Sequence, residues 1–489
     1  MNKKPVIPKE YLVPFILVTI LFALWGFANN FTDPLVKVFK DVFAISNAQS
    51  SVVQMAFYGG YATMAIPAAL FIRKFSYKSG ILVGLSLFAM GAMLSIPAAN
   101  SVNFWLFIVA IYILTFGLAF LETTANPYIL SMGDESTSTQ RLNLAQAFNP
   151  IGSLSGAFIA ASLVLSNIQV ADFKNDIAGY KSELSAEKEV VSNLEILPFL
   201  KAKERERNND EGAKAYVVET SPEETTVDQA LVDFREGKIE TYQGQTFPQI
   251  QKHDLNLVSS TYMTLGLVVI FVLIIFIIKK MPSTASNDDD HDLHFGSTLK
   301  RLFGNPRYVW GVVAQMFYVG AQIMVWTFIF HYAEAIGMDS ATAGNHQIAA
   351  LILFLAFRFV CTAFLKFIAP GKLLFLLAAA GVGCTLGAIY LTGMNGLYAL
   401  MLVSACMSLM FPTIYGMALE GVGQDAKLGS AGLILAIVGA VWLTGFQGQI
   451  LDLESFMGTS AIRGSFFLTV ACFVIISIYG FAFRKPRSA

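Results

Sequence analysis

The sequence predicts an all-α membrane protein whose twelve transmembrane helices form two pseudo-symmetric six-helix bundles. Hydrophobic residues make up 55% of the 489 residues and charged residues only 14%, whereas about 25% of the residues in a soluble domain are charged. The chain contains twelve apolar stretches of membrane-spanning length, and segments of its first half have counterparts in its second half. We therefore expect most of the chain to lie in a lipid bilayer.

Each predicted span is an apolar stretch of about 20 residues, the length that crosses roughly 30 Å of hydrocarbon. The predicted limits are 11–32, 50–72, 79–98, 104–130, 142–166, 257–279, 307–332, 343–365, 371–392, 396–419, 428–450 and 463–483. With both termini inside, the inner segments carry eighteen Lys and Arg residues and the short outer loops carry three. Because cytoplasmic loops are enriched in these residues, the bias predicts cytoplasmic N- and C-termini.

Two polar segments interrupt the series of spans and predict the domain boundaries. Residues 1–280 form a predicted N-terminal six-helix bundle, residues 281–306 an inner linker, and residues 307–489 a C-terminal six-helix bundle. The other polar segment, residues 167–254, is an insertion between spans 5 and 6 on the predicted periplasmic side. It is interpreted as a solvated surface cap or as a docking site for an outer partner. It contains no N-x-[ST] acceptor, which favours a bacterial inner membrane.

The two halves resemble each other weakly. The run ANPYILSMGDE at the end of span 4 parallels MFPTIYGMALE at the end of span 10, and RLNLAQAFNPIGSLSGA parallels AKLGSAGLILAIVGA in spans 5 and 11. Many transporters are built from repeated bundles around a site near the bilayer midplane. The internal similarity therefore predicts a site between the halves.

Few ionisable side chains lie inside the predicted spans, and each one costs about 2.5 to 3.5 kcal/mol in hydrocarbon. Glu122 lies deep in span 4, which contains no basic residue. Such a carboxyl can stay protonated while it is dry and ionise when water reaches it, as a proton carrier requires. Asp33 ends span 1 and is interpreted either as a second coupling carboxyl or as a helix cap. Arg358, in span 8, is interpreted as a structural or gating partner of a carboxyl or backbone carbonyl, or as a substrate ligand.

Amide and aromatic side chains form a second set of candidates. Six amide residues that fall in predicted spans are singled out: Asn29, Asn30, Gln146, Asn149, Gln315 and Gln322. Because an unpaired amide is costly in hydrocarbon, such residues either join helices or line a wet cavity. Gln146 and Asn149 are three residues apart and are predicted to share a helix face. Amides suit sugar hydroxyls, and rings such as those of Trp25, Trp326, Phe354 and Phe411 suit the apolar face of a pyranose.

Several other functions are excluded or disfavoured by the sequence. It contains no GxxxxGK[ST], HExxH or GxSxG motif, so we expect neither ATP-driven pumping nor an embedded hydrolase. The acidic and histidine residues between Asp288 and His294 lie in the predicted inner linker among Ser, Thr and Gly residues, so no metal site and no cofactor is predicted. The net charge is −1 without a basic stripe, which argues against binding of nucleic acid.

Several stretches closely resemble the fucose:proton symporter family of the major facilitator superfamily. They include WGFANNFTDPL (25–35), LETTANPY (121–128), RLNLAQAFNPIGS (141–153) and FPTIYGMALEGVGQDAKLGS (411–430). The resemblance covers both halves apart from the insertion and the linker. It implies a proton-coupled monosaccharide importer that works by alternating access and, as is usual for this fold, as a monomer. A proton-independent uniporter and a sugar-sensing receptor without transport stay as alternatives.

The resemblance also assigns expected roles to residues of this chain. The protonatable acids of the family match Asp33 and Glu122. Its sugar-cavity positions match Trp25, Asn30, Gln146, Asn149, Trp326, Phe354 and Phe411, and Gln322 is added from the amide set. The fucose permeases of the family have a tyrosine at the position of Phe411, so one hydroxyl contact is absent here. The substrate therefore stays open among fucose, glucose, galactose, mannose and N-acetylated hexosamines.

Overall fold

The computed structural model describes residues 4–32, 35–45, 47–50, 52–184, 227–282, 295–338, 340–451, 453 and 455–485. Within these ranges, twelve segments are long and apolar enough to cross a membrane. We number them spans 1 to 12: Lys9–Thr32, Val52–Lys74, Tyr77–Asn100, Phe104–Ser131, Glu135–Asn167, Phe247–Ile278, Pro306–Ala335, Thr342–Phe364, Pro370–Tyr390, Met394–Ala418, Gly423–Leu451 and Ala461–Ala482. The structure thus confirms the twelve predicted spans.

Some spans are single helices and others are interrupted. The α-helices are α1 (Leu12–Thr32), α2 (Leu35–Val42), α3 (Asn47–Ser50), α4 (Val52–Lys74), α5 (Tyr77–Asn100), α6 (Phe104–Ser131), α7 (Ser138–Gln146), α8 (Asn149–Ile159), α9 (Gln169–Leu184), α10 (Val227–Arg235), α11 (Phe247–Ile278), α12 (Phe295–Phe303), α13 (Pro306–Ala335), α14 (Ser340–Phe364), α15 (Pro370–Tyr390), α16 (Met394–Met407), α17 (Met410–Ala418), α18 (Ala426–Leu435), α19 (Gly439–Leu451), α20 (Ala461–Ser465) and α21 (Phe467–Ala482). Strands β1 (Ser455–Phe456) and β2 (Thr459–Ser460) form a short antiparallel hairpin. Spans 5 and 11 are interrupted at comparable depths, at Ala147–Phe148 and at the 3-10 turn Ala436–Val438, as expected for related halves.

Span 6 begins ten residues earlier than the sequence predicts, at Phe247 instead of residue 257. Its first turns are polar, so a search for apolar runs misses them. The helix start is instead marked by a capping box in which the Thr246 amide donates to Gln249 Oε1 at 2.9 Å. The C-terminal end of the polar segment 167–254 therefore belongs to this helix.

The described part of the insertion packs on the extended start of span 6. The Phe173 ring lies 4.9 Å from Phe234 and 5.2 Å from Tyr242, and Phe234 lies 5.5 Å from Phe247, measured between ring centroids. The Asp254 carboxylate accepts hydrogen bonds from the first backbone amides of α9, each at 3.0 Å. The described part of the insertion therefore has a small aromatic core and is more than a solvated cap. Residues 185–226 of the insertion lie outside the described residues.

The first and last described residues, Lys4 and Lys485, lie on one side of the molecule, which we call the terminal side. The Arg141 guanidinium is fully buried and donates to the carbonyls of Ile129, Leu130 and Val6, so it joins the end of span 4 to the N-terminal segment. The Lys4 ammonium, together with Ser136, lowers the pKa of Asp134 to about 2 by hydrogen bonding. Arg307, at the start of span 7, donates to the carbonyls of Phe483 and Lys485 near the C-terminus.

Candidate functional site

A cavity of about 440 Å³ lies between the two halves of the molecule. Spans 1, 2, 4 and 5 line it from the first half, and spans 7, 8, 10 and 11 line it from the second. Its volume is within the roughly 300 to 1,000 Å³ range of small-molecule sites. The structure brings together on its wall the predicted residues Trp25, Asn30, Glu122, Gln146, Asn149, Gln322, Trp326, Phe354, Arg358 and Phe411. Asp33 lies outside the described residues.

Glu122 is a buried carboxyl on the cavity wall. Its side chain is 1% exposed, and neither carboxylate oxygen has a hydrogen-bond partner among the residues that the structure describes. Tyr61 and Tyr415 lie close enough to interact electrostatically with it. An ionised carboxylate without a partner in apolar surroundings is several kcal/mol less stable than in water. Burial without a partner therefore favours the neutral acid, and Glu122 also lines the cavity.

Arg358 lies on the opposite wall, and its partner differs from the predicted one. Its Nη2 donates to the Oε1 atom of Gln146 at 3.3 Å, and its guanidinium carbon lies 5.3 Å from the Phe354 ring centroid. Among the described residues it therefore pairs with an amide, whereas the sequence predicted a carboxyl or a backbone carbonyl. Because Gln146 belongs to the first half and Arg358 to the second, this bond crosses the cavity.

Gln146 and Asn149 both face the cavity although the helix breaks between them. Gln146 ends α7, and Asn149 begins α8 after the two residues of the break. Gln146 Nε2 donates to Asn126 Oδ1 at 2.6 Å, and Asn126 Nδ2 donates to the Glu122 carbonyl at 3.0 Å. Asn149 Nδ2 donates to the Phe22 carbonyl in span 1 at 3.1 Å. The amides thus join helices and line the cavity at once.

Aromatic rings cover the rest of the wall. Trp326 meets Phe354 edge to face at a centroid distance of 5.1 Å, and Phe411 lies 6.0 Å from Tyr318. Trp326 Nε1 donates to Ser404 Oγ at 3.3 Å, and the buried Trp25 Nε1 lies beside the Tyr61 hydroxyl. Flat apolar rings with N–H groups at their edges are suited to a ligand with one apolar and one hydroxylated face.

Sequence reasoning missed three tyrosines of this site. Tyr58 and Tyr61 in span 2 and Tyr318 in span 7 line the cavity. Buried hydroxyls are usually hydrogen-bonded, and the buried Tyr318 hydroxyl has no partner among the described residues, so it is available to water or a ligand. Tyrosine is common in membrane spans, and the sequence carries no signal that separates these three from the rest. Conversely, Gln315 was among the amides singled out from the sequence, but it is buried and does not line the cavity.

The chain was compared with known proteins. Residues 17–171 match the Major Facilitator Superfamily. The chain is 44% identical to the L-fucose-proton symporter of Haemophilus influenzae, with 98% of both chains covered, and 32% identical to that of Escherichia coli, with 96% and 93% covered. The crystal structure of the major facilitator transporter FucP in the outward conformation has a TM-score of 0.77 at 30% identity and covers 98% of this chain and 100% of its own. The chain belongs to the fucose:proton symporter family of the major facilitator superfamily.

Proposed function

We propose that the protein imports a monosaccharide together with a proton across the bacterial inner membrane by alternating access. The observation that carries the proposal is the Glu122 carboxyl, which has no hydrogen-bond partner among the described residues and lies on the wall of a cavity that also offers amides, a guanidinium and aromatic rings. The similarity to L-fucose-proton symporters supports the same substrates, and L-fucose is the first sugar to test.

Glu122 carries the proton in this proposal, and Asp33 couples its loading to the conformational change. The sugar is held by Trp25, Asn30, Gln146, Asn149, Gln322, Trp326, Phe354 and Phe411. Arg358 acts as a gate, since its bond to Gln146 joins the two halves. One charge that crosses a membrane potential of about 100 mV releases roughly 2.3 kcal/mol. This free energy sustains about a 40-fold sugar gradient, because each tenfold step needs about 1.4 kcal/mol.

The proposed moving parts are the bundles 1–280 and 307–489, connected by the linker 281–306. On the terminal side, Ser430 Oγ donates to the Thr123 carbonyl at 3.1 Å, and the Gly421 amide donates to Glu135 at 2.8 Å. Both bonds join the halves. If the termini are cytoplasmic, as the distribution of basic residues supports, these bonds close the inner side, and the cavity is loaded from the periplasm.

Transport by purified protein in liposomes tests the proposal. Labelled L-fucose, D-galactose and D-glucose are supplied with an inward proton gradient, with and without a protonophore. We expect one sugar to accumulate above its outside concentration and the protonophore to abolish this accumulation. Glu122→Gln should lose accumulation but keep exchange of internal for external sugar, because exchange needs no net release of a proton.

The matched control is Glu334→Gln, which neutralises an exposed carboxyl at the outer end of span 7 and should accumulate sugar normally. Uptake that ignores the proton gradient would identify a uniporter and contradict symport. Sugar binding without any flux would instead identify a sensor.

A further inference from the structure

We infer that Asn126 is the positioning residue that couples the sugar site to the proton carrier. The inference rests on the proposed function. Asn126 is fully buried in span 4 and does not line the cavity, yet it is bonded to the cavity residue Gln146 and to the backbone of the residue that bears the proton. It is therefore the link between two groups that each face the ligand space.

The hydrogen bonds form one chain that runs in a single direction. Arg358 donates to the Gln146 oxygen, the Gln146 amide donates to the Asn126 oxygen, and the Asn126 amide donates to the Glu122 carbonyl, at 3.3, 2.6 and 3.0 Å. Reversal of either amide would place like atoms against each other, so the network fixes both orientations. Aligned hydrogen bonds in a low-dielectric interior polarise one another, so a change at one end alters the other.

The two ends of this chain respond to different events. A sugar hydroxyl that binds Gln146 competes with the Arg358 guanidinium for the same amide. The Arg358 bond also joins opposite halves, so it breaks when the halves separate around the cavity. Both events change the hydrogen bond that Gln146 makes to Asn126. Asn126 holds the turn of span 4 that carries the Glu122 carboxyl. Sugar occupancy and conformation are thereby transmitted to the proton site through one buried amide.

The decisive variant is Asn126→Thr. A threonine hydroxyl can keep the bond to the carbonyl four residues earlier, as Thr124 does with Phe120 at 2.6 Å in the same helix. The threonine side chain is too short to hold Gln146 as the asparagine does, so only the hydrogen bond between position 126 and Gln146 is lost. Asn126→Ala, which removes both links, is the second variant. Thr124→Val is the matched control, because it removes a buried hydroxyl of the same helix that has no bond to Gln146.

Three quantities are measured for each protein in liposomes with L-fucose: its dissociation constant, its exchange rate, and the protons taken up per sugar, read from a pH-sensitive dye in weakly buffered medium. For Asn126→Thr we expect the dissociation constant and the exchange rate to change less than about threefold, because Asn126 does not touch the cavity. The number of protons taken up per sugar should fall by about fivefold, because the loss of one hydrogen bond changes an equilibrium constant by about that factor. In Asn126→Ala this number should fall at least as far, and in Thr124→Val it should equal that of the wild type.

Three results would overturn the inference: full coupling in Asn126→Thr, the same loss of coupling in Thr124→Val, or a parallel loss of sugar binding and exchange, which would mark Asn126 as merely structural. Failure of the proposed function is separate, since it would be seen in the wild-type protein as L-fucose uptake without proton uptake.

Discussion

The Trp25 ring lines the cavity, and its indole N–H lies beside the Tyr61 hydroxyl at the cavity wall. Trp25→Phe keeps most of the ring but removes the N–H group, so we expect the dissociation constant of the transported sugar to rise roughly fivefold, which corresponds to the loss of about 1 kcal/mol for one hydrogen bond. Trp326→Phe is the control, because its N–H already donates to Ser404. Titration calorimetry of both variants measures the difference, and equal affinity of Trp25→Phe and wild type would contradict the assignment.

The sequence identifies individual residues that are chemically unusual, but it does not identify the neighbours that define their roles. Glu122 is recognisable because an acid without a base on its own span is costly in hydrocarbon. Asn126 is equally polar, but its role depends on Gln146 in span 5, twenty positions away. Arg358 finds its partner 212 positions away. Such contacts depend on how separate helices are placed, which no local pattern encodes.

Spans 1 and 5 approach so closely that their glycines are required at the contact. A Cβ atom on Gly152 would lie 1.9 Å from the Ala23 carbonyl oxygen, and one on Gly26 would lie 2.1 Å from the Asn149 carbonyl oxygen. Both obstacles are backbone atoms, which cannot rotate away. Because Trp25 and Asn149 stand on these two spans, the same contact sets the width of the sugar site.

Gly152→Ala should therefore separate the two spans and destabilise the protein by about 1 to 3 kcal/mol, the usual effect of overpacking. The melting temperature in detergent and the sugar affinity should both fall. In Gly445→Ala, in span 11, the added Cβ atom meets no atom of the described residues within 4 Å, so the change should be neutral or slightly stabilising, because alanine favours helix. A Gly152→Ala protein that melts like the wild type would show that the helices can move apart freely.

Helix limits follow from hydropathy only where the helix is apolar along its length. The start of span 6 at Phe247 is polar because these turns contact the insertion through Asp254 and the Phe234–Phe247 ring pair. The break at Ala147–Phe148 lies within a predicted span, and mean hydropathy does not mark it. A capping box was available as a sequence signal for the first, and Pro150 in the first turn of α8 was available for the second.

For the whole molecule, the number of spans and their grouping follow from apolar length and charge distribution. The side on which the cavity is closed does not follow from them. Which side is closed depends on weak contacts between halves. One of these is the pair Asn143 and Thr413, fully buried side chains that exchange hydrogen bonds of 3.1 and 3.4 Å across the halves on the terminal side.

Thr413→Val should open the terminal side, because it removes this bond while it keeps the volume of the side chain. A hydrogen bond of about 1 kcal/mol corresponds to a roughly fivefold change in the ratio of closed to open molecules.

Spin labels at the exposed positions Ser136 and Gln424, in a background without the four native cysteines, report the distance between the halves on that side. We expect the distance distribution of Thr413→Val to gain a longer component, and Asn143→Ala to gain the same one. Thr385→Val, which removes a buried hydroxyl bonded within its own helix to Gly381, should leave the distribution unchanged. If neither cross-half variant differs from this control, the pair does not contribute to closure, and the remaining contacts near Ser430 and Gly421 must hold the terminal side shut.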